Sequence, residues 1–413
     1  IGSKTVKIKP DGWKRKAEVT EFPTTQIFVA GKRSSFKNII PWVQSLDDGS
    51  DEAIDFARIE MFSAYKPEER IVPFSNREAG EFFEVGIHLL PSNNSDLVQS
   101  AFMGYAEDNG ITLYSELSFT AGNLWFVPVQ CGQEKIETLS LFTFVRVIRP
   151  VPPLRGIRPI QRASGVKIQT LLPSDPPVSD LRVAILDGGL PKQHSIQKWL
   201  NSYRVMDDGA SDDSDALQHG LAVTSAFLFG PLKARTMAPR PYSYVDHLRV
   251  LDADICNEHP LELYRTLGLI EEVLLSRQYQ FINLSLGPNL PIEDSEVHAW
   301  TSVIDDLLSD GETLMTIAVG NNGEMDKESG NARIQVPADS VNGLSIGAAN
   351  STDSNKWARS SYSAMGPGRS PGVIKPDLVT FGGEEREYFH VLTDDTNPVI
   401  APQMGTSFAA PYA

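Results

Sequence analysis

The chain has 413 residues, of which 41% are hydrophobic and 22% are charged, and this composition excludes wholesale disorder and a collagen-like structure. Its 37 Lys and Arg residues against 53 Asp and Glu residues give a net charge of −16, so nucleic acid is not an expected partner. No apolar run approaches the roughly 18 to 20 residues that cross a bilayer, so no membrane partner is expected either.

The two cysteines, Cys131 and Cys256, are too few and too far apart for a disulfide framework, and they form no CxxC motif. This usage is typical of a reducing compartment, and we expect a cytoplasmic location. The chain starts at Ile1 without a signal-peptide pattern and stops at Ala413 inside a helix-like run, which indicates a fragment.

Residues 1–80 form an N-terminal extension of unclear organisation. The sequence predicts a strand near Gln26 to Ala30 and a helical stretch near Ser50 to Tyr65.

The sequence of residues 81–150 predicts a ferredoxin-like α+β domain. Alternating apolar residues indicate a strand at 83–89, and apolar positions spaced by four indicate a helix at 97–106 that Asn109-Gly110 closes. Strands at 111–119 and 124–129, a short helix at 134–141 and a last strand at 144–148 follow. The order is β-α-β-β-α-β.

A proline-rich linker at 151–180 separates this domain from a larger one at 181–413. In the larger domain, short apolar runs at 181–186, 248–251, 281–286, 314–319 and 344–349 alternate with helical patterns such as 260–277 and 293–309. Such alternation predicts a doubly wound parallel α/β sheet, and sites in these sheets lie at the carboxyl ends of the strands.

Three motifs in the larger domain carry candidate catalytic side chains. Asp187 ends a buried strand before two glycines, His219 opens the run His-Gly-Leu-Ala-Val, and Ser407 lies in Gly-Thr-Ser-Phe-Ala-Ala-Pro. Each residue alone is more often a cap or a core residue. Together they provide a nucleophile, a base and a carboxylate that orients the base.

In their order and motifs, these residues resemble the subtilase family of subtilisin-like serine peptidases, over roughly residues 181–413. The resemblance implies an Asp187–His219–Ser407 triad and an oxyanion-hole asparagine at Asn321, in Val-Gly-Asn-Asn-Gly. It also implies that Ser285, Leu286, Gly287 and Gly320 bind an extended polypeptide substrate. A second edge for the substrate is expected near Ala253 to Cys256.

The sequence departs from the family pattern in places and offers rival candidates. Leu221 and Ala222 stand where the family often has Thr-His, so we expect altered packing there. His194 is a rival for the catalytic base, although it matches a structural histidine of the family. The acidic run at 207–215 could bind calcium but lacks EF-hand spacing, so no cofactor or metal is expected.

The sequence thus predicts a serine endopeptidase. The alternatives are a catalytically silent subtilase fold used for binding and a hydrolase of non-peptide esters. Because the predicted ferredoxin-like domain is similar to the propeptides that precede many subtilases, we expect it to pack on the peptidase domain as a chaperone-like inhibitor. The alternative is an unrelated accessory or protein-binding domain.

Overall fold

A computed structural model describes residues 1–8, 22–74, 81–91, 95–155, 168–252 and 259–413. The chain forms two compact units. The first contains residues 1–115, 122–150 and 294–296, and the second contains residues 116–121, 151–293 and 297–413. The boundaries at 80, 150 and 180 that the sequence indicates stay predictions, as does the packing of one domain on the other.

The elements of the N-terminal part begin with an antiparallel pair of strands and three short helices, and a second series of strands and helices follows. All except β5 belong to the first unit. In chain order they are β1 (Gly2–Ile8), β2 (Phe22–Phe28), α1 (Arg33–Lys37), α2 (Ile39–Gln44), α3 (Asp51–Phe56), β3 (Phe82–His88), α4 (Ser95–Asp108), β4 (Thr112–Leu113), β5 (Phe119–Ala121), β6 (Leu124–Gln130), α5 (Ile136–Leu141) and β7 (Val145–Pro150).

Four of these strands lie side by side in the order β4-β6-β3-β7, and each neighbouring pair is antiparallel. With α4 and α5 between the strands, this is the predicted ferredoxin-like arrangement. Its core is apolar and includes Phe83, Phe102, Trp125 and Leu139. The strand expected at 111–119 was wrong in extent, because a 3₁₀ turn at Ser115–Leu117 divides it into β4 and β5. The helix expected near Ser50 to Tyr65 is also shorter and ends at Phe56.

The second unit contains the remaining strands and helices. They are β8 (Ile168–Gln169), β9 (Val183–Asp187), β10 (Leu200–Val205), α6 (Ser214–Phe229), β11 (Val245–Arg249), α7 (Glu262–Leu275), β12 (Phe281–Leu284), α8 (Ala299–Leu308), β13 (Leu314–Ala318), β14 (Leu344–Ala349), β15 (Leu378–Phe381), β16 (Phe389–Leu392), β17 (Val399–Gln403) and α9 (Thr406–Tyr412).

Seven of these strands form one parallel sheet in the order β10-β11-β9-β12-β13-β14-β15, which confirms the predicted doubly wound α/β class. The chain order changes direction around β9, which lies between β11 and β12. Strands β16, β17 and β8 form a separate antiparallel sheet. The helix predicted at 293–309 begins only at Ala299, because the side chain of His298 caps it by accepting a hydrogen bond from the Trp300 N–H.

Candidate active site

Three neighbouring strands of the parallel sheet end at the same edge and bring residues of the candidate site together. Asp187 is the last residue of β9, Ser285 follows β12 directly, and Gly320 follows β13 by two residues. Leu284 on β12 is in register with Leu186 on β9 and with Ile317 on β13, so the three strand ends lie level. The residue types that the sequence analysis selected therefore occur where a parallel sheet forms sites.

Helix α6 carries His219 to the end of β9. Asp213 caps the helix by accepting from the Ala216 N–H, which fixes its start. A Cβ on Gly220 would lie 2.1 Å from the Gly189 carbonyl oxygen, so only glycine at this position lets the helix approach the loop after β9.

His219 and Asp187 are hydrogen-bonded to each other. The His219 Nδ1 atom lies 2.7 Å from Asp187 Oδ1, and this oxygen also accepts from the Gly188 N–H at 2.7 Å. Both side chains are buried. An ionised carboxylate only accepts hydrogen bonds, so the His219 proton resides on Nδ1 and the Nε2 lone pair is left for chemistry.

Ser407 lies in the first turn of α9, close to the end of β12. Its Oγ is 3.5 Å from the Ser285 carbonyl oxygen, and Ser285 Oγ donates to the Ser407 carbonyl at 3.0 Å. These two contacts place the half-buried Ser407 against the segment that the sequence analysis assigned to substrate binding.

The two asparagines after Gly320 have different environments. Asn321 is exposed, and its Oδ1 accepts from the N–H and the hydroxyl of Thr406 at 2.9 and 3.0 Å, so its Nδ2 remains available as a donor. Asn322 is buried, and its Nδ2 donates to the carbonyls of Asn331 and Arg333. The structure thus favours Asn321 over Asn322 as a donor to a bound molecule.

Most of these residues line one cavity of about 420 Å³. It is lined by Arg155, His219, Ser285, Leu286, Asn289, Gly320, Asn321, Asn322, Glu324, Met325, Gln335, Thr406 and Ser407. Of the predicted site residues, Asp187 lies behind His219, and Gly287 does not line the cavity. The Gly287 carbonyl instead accepts the N–H of Arg155 at 2.8 Å. The predicted edge at Ala253 to Cys256 lies outside the described residues.

The other candidates from the sequence lie elsewhere. His194 is half-buried and does not line the cavity. Leu221 and Ala222 pack in the apolar core of the second unit. In the acidic run, Asp213 is the cap of α6 and Asp212 pairs with Arg249. Among the described residues, no three His, Cys, Asp or Glu side chains are grouped to hold a metal ion.

Thr406 and Arg155 are among the cavity residues that were not identified from the sequence as functional. Thr406, which orients Asn321, lies inside the Gly-Thr-Ser motif and could have been found there. Arg155 lies in the proline-rich segment, where no periodicity or motif marks it.

Comparison with known proteins identifies the family of this chain. The Subtilase family profile matches residues 179–413, more than half of the chain. Among curated proteins, none matches the chain. Within the described part of the chain, no helix has the length and apolar character that a membrane crossing requires.

Several solved structures are similar to the chain at low identity. The self-cleaved protease domain of PatA is 21% identical and aligns over 57% of this chain and 77% of its own, with a TM-score of 0.39. Sphericase is 17% identical over 63% and 81%, with a TM-score of 0.39. MycP1 from Mycobacterium smegmatis is 16% identical over 64% and 78%, with a TM-score of 0.38. By its family match and its parallel α/β sheet, the chain belongs to the subtilase family and is a subtilisin-like serine endopeptidase.

Proposed function

We propose that the chain hydrolyses peptide bonds of extended polypeptides through Asp187, His219 and Ser407, with Asn321 in the oxyanion hole. The observation that carries this proposal is the 2.7 Å bond between Asp187 and His219, in a cavity that His219 and Ser407 both line. A hydroxyl is a weak nucleophile until a base removes its proton, and in this proposal His219 is the base for the Ser407 hydroxyl.

In the proposed first step, His219 Nε2 takes the proton of Ser407 as Oγ attacks the carbonyl carbon of the substrate. Asp187 keeps the imidazole in the Nδ1–H tautomer and stabilises the imidazolium that forms. The same proton then passes to the leaving amine, and the acyl group stays on Ser407. Water attacks the acyl group in the second half of the reaction, and His219 again acts as the base.

The negative charge of the tetrahedral intermediate needs donors that are already in position. Asn321 Nδ2 and the backbone N–H of Ser407, in the first turn of α9, are the proposed donors. The two bonds from Thr406 to Asn321 Oδ1 hold the amide with its NH₂ group free for this task.

The proposed substrate is extended because the edge after β12 pairs with extended backbone. Residues 153–155 lie antiparallel to residues 287–289, with a bridge between Leu154 and Pro288. The Asn289 N–H donates to the Pro153 carbonyl at 2.8 Å. A substrate strand would add to Ser285 and Leu286 in the same manner.

Labelling with a fluorophosphonate probe and hydrolysis of a denatured protein mixture test the proposal. We expect the probe to modify Ser407, and Ser407→Ala to lose both labelling and cleavage while its thermal unfolding stays the same. A folded wild-type protein that is neither labelled nor active would favour the silent binding fold. Turnover of simple esters without any peptide cleavage would favour the ester hydrolase.

A further inference from the structure

Arg155 lines the cavity of the candidate active site, although it lies in the proline-rich segment, which has no recognisable motif. Its N–H donates to the Gly287 carbonyl at 2.8 Å, and the antiparallel pairing of residues 153–155 with 287–289 fixes its backbone beside the cavity. A Cβ on Gly287 would lie 2.5 Å from Arg155 Nη2, so the glycine provides the space that the guanidinium occupies.

Among the described residues, the guanidinium is bound only by backbone carbonyls. Nη1 donates to Ala318 at 3.0 Å and Nη2 to Val336 at 3.4 Å, whereas Nε is buried and has no hydrogen-bond partner in the part of the chain that the structure describes. No carboxylate in the described part of the chain forms an ion pair with it, and Glu324, which lines the same cavity, is exposed to solvent. Burial lowers the pKa of Arg155 to about 10, so the group is still charged at neutral pH.

Within the described residues, the Arg155 charge is therefore held by neutral carbonyls and has no anionic partner. The polar side chains of Asn289, Asn322 and Gln335 line the same cavity. Gln335 Nε2 donates to Asn289 Oδ1 at 3.0 Å, which fixes both amides. A guanidinium binds a carboxylate with charge-assisted hydrogen bonds, which are roughly twice as strong as neutral ones.

We propose that Arg155 selects substrates with Glu or Asp immediately before the scissile bond, and that the acidic side chain enters the cavity and binds the guanidinium. This inference rests on the proposed function, since the cavity receives that side chain only if Ser407 is the nucleophile. A neutral amide is the closest competitor, because the buried Asn322 Oδ1 has no donor among the described residues and would accept from the NH₂ group of Gln.

Cleavage of quenched peptide libraries with one fixed residue before the scissile bond tests the inference in the wild-type protein. We expect kcat/KM for Glu and Asp to exceed that for Gln, Leu and Lys by about 10- to 100-fold. The Glu and Gln pair is decisive because the two side chains differ in charge and not in size. Equal rates, or a preference for Gln, Leu or Lys, would overturn the proposal.

Variants assign the preference to Arg155. Arg155→Gln should remove the preference for Glu over Gln, Arg155→Lys should keep most of it, and Arg155→Glu should shift it toward Lys. Arg386→Gln, an exposed arginine outside the cavity lining, removes the same charge and should leave the preference unchanged. If Arg155→Gln accelerates cleavage of every peptide equally, then Arg155 obstructs the cavity and does not select.

A binding measurement separates failure of this inference from failure of the proposed function. If wild-type protein cleaves no peptide, the affinities of Glu and Gln peptides for Ser407→Ala are compared by calorimetry. Binding of the Glu peptide that is at least 10-fold tighter would support Arg155 as an anion site although hydrolysis has failed. Equal affinities, or no binding of either peptide, would overturn the inference.

Discussion

Each unit has a buried carboxylate with a buried partner, but Glu84 lies within a strand of the first unit and Asp187 ends a strand of the second. In the antiparallel sheet, Glu84 on β3 is in register with Arg149 on β7, and the two form an ion pair at 2.7 Å. Both side chains are buried. Neighbouring strands therefore supply opposite charges to each other, and the pair has a structural role.

In the parallel sheet, the buried carboxylate has a different kind of partner. Asp187 ends β9 and bonds through Oδ1 to a histidine, while its buried Oδ2 has no hydrogen-bond partner among the residues that the structure describes. Its histidine partner, and not the carboxylate itself, lines the cavity at the carboxyl end of the strand. A carboxylate paired with an arginine faces a partner that stays charged, whereas a carboxylate paired with a titratable base can serve proton transfer.

The largest expected effect is on catalysis in the second unit. His219→Ala should lower kcat/KM for peptide hydrolysis by about 10⁴- to 10⁶-fold, because the base of a serine nucleophile is lost. His194→Ala is the matched control and should change kcat/KM by less than about tenfold. If His194→Ala causes the large loss of kcat/KM and His219→Ala the small one, the proposed triad is wrong. Asp187 would then have no proton-transfer role that distinguishes it from Glu84.

The next effect is on the stability of the first unit. Glu84→Ala leaves Arg149 buried without its carboxylate, which should cost about 3 to 5 kcal/mol in the free energy of unfolding. Replacing both residues with Met should cost much less, because no charge is then left buried. Urea unfolding followed by the fluorescence of the buried Trp125 measures both variants. A Glu84→Ala protein with wild-type stability would show that the pair contributes little.

The two adjacent asparagines provide a smaller and more specific test within the second unit. Asn321→Ala should lower kcat by about 10²- to 10³-fold with little change in unfolding, because one donor to the oxyanion is lost. Asn322→Ala should lower the free energy of unfolding by about 1 to 3 kcal/mol, because two hydrogen bonds from a buried amide to the partly buried carbonyls of Asn331 and Arg333 are lost. Steady-state kinetics and thermal unfolding separate the two. A larger loss of kcat in Asn322→Ala would reverse the proposed assignment.

How much the sequence predicted depends on whether a feature is local. Asp187, His219 and Ser407 each lie in a short motif at a strand end or on a helix, so residue types and spacing were enough to select them. Arg155 was missed because its position depends on pairing with residues 287–289, which are distant in the chain. The space left by Gly287 is likewise invisible in a linear pattern.

The extent of some elements was also not predictable from local patterns. Residues 111–119 are apolar enough for one strand, yet the structure has a 3₁₀ turn at Ser115–Leu117. The edge strand β10 has only partly buried and exposed residues, so it lacks the continuous apolar run that marks the central strands. Periodicity identifies strands that are buried on both faces more readily than strands at an edge.

The smallest expected effect concerns His247, a buried histidine on β11 beneath the candidate active site. Its Nδ1 lies 2.8 Å from Thr224 Oγ1, and this hydroxyl donates its one proton to the Gly220 carbonyl. His247 must then donate from Nδ1, and its buried Nε2 has no hydrogen-bond partner within the described ranges. A second proton on Nε2 would therefore be buried without an acceptor.

Burial lowers the pKa of His247 to about 4, although Asp187 raises it, and His194 and His219 lower it further. An unfolded histidine titrates near 6.5, so between pH 6.5 and 4 the unfolded chain binds more protons at this residue than the folded chain. The stability that neutral His247 contributes is complete above about pH 6.5 and falls by about 2 kcal/mol by pH 5.

His247→Asn keeps a donor near Thr224 and removes the titration, so its free energy of unfolding should depend less on pH by this amount. Thr224→Val, which keeps the histidine, should be less stable at every pH but retain the wild-type slope. Chemical unfolding at pH 5 and 7 measures the difference, and equal slopes for wild type and His247→Asn would show that His247 is not buried in its neutral form.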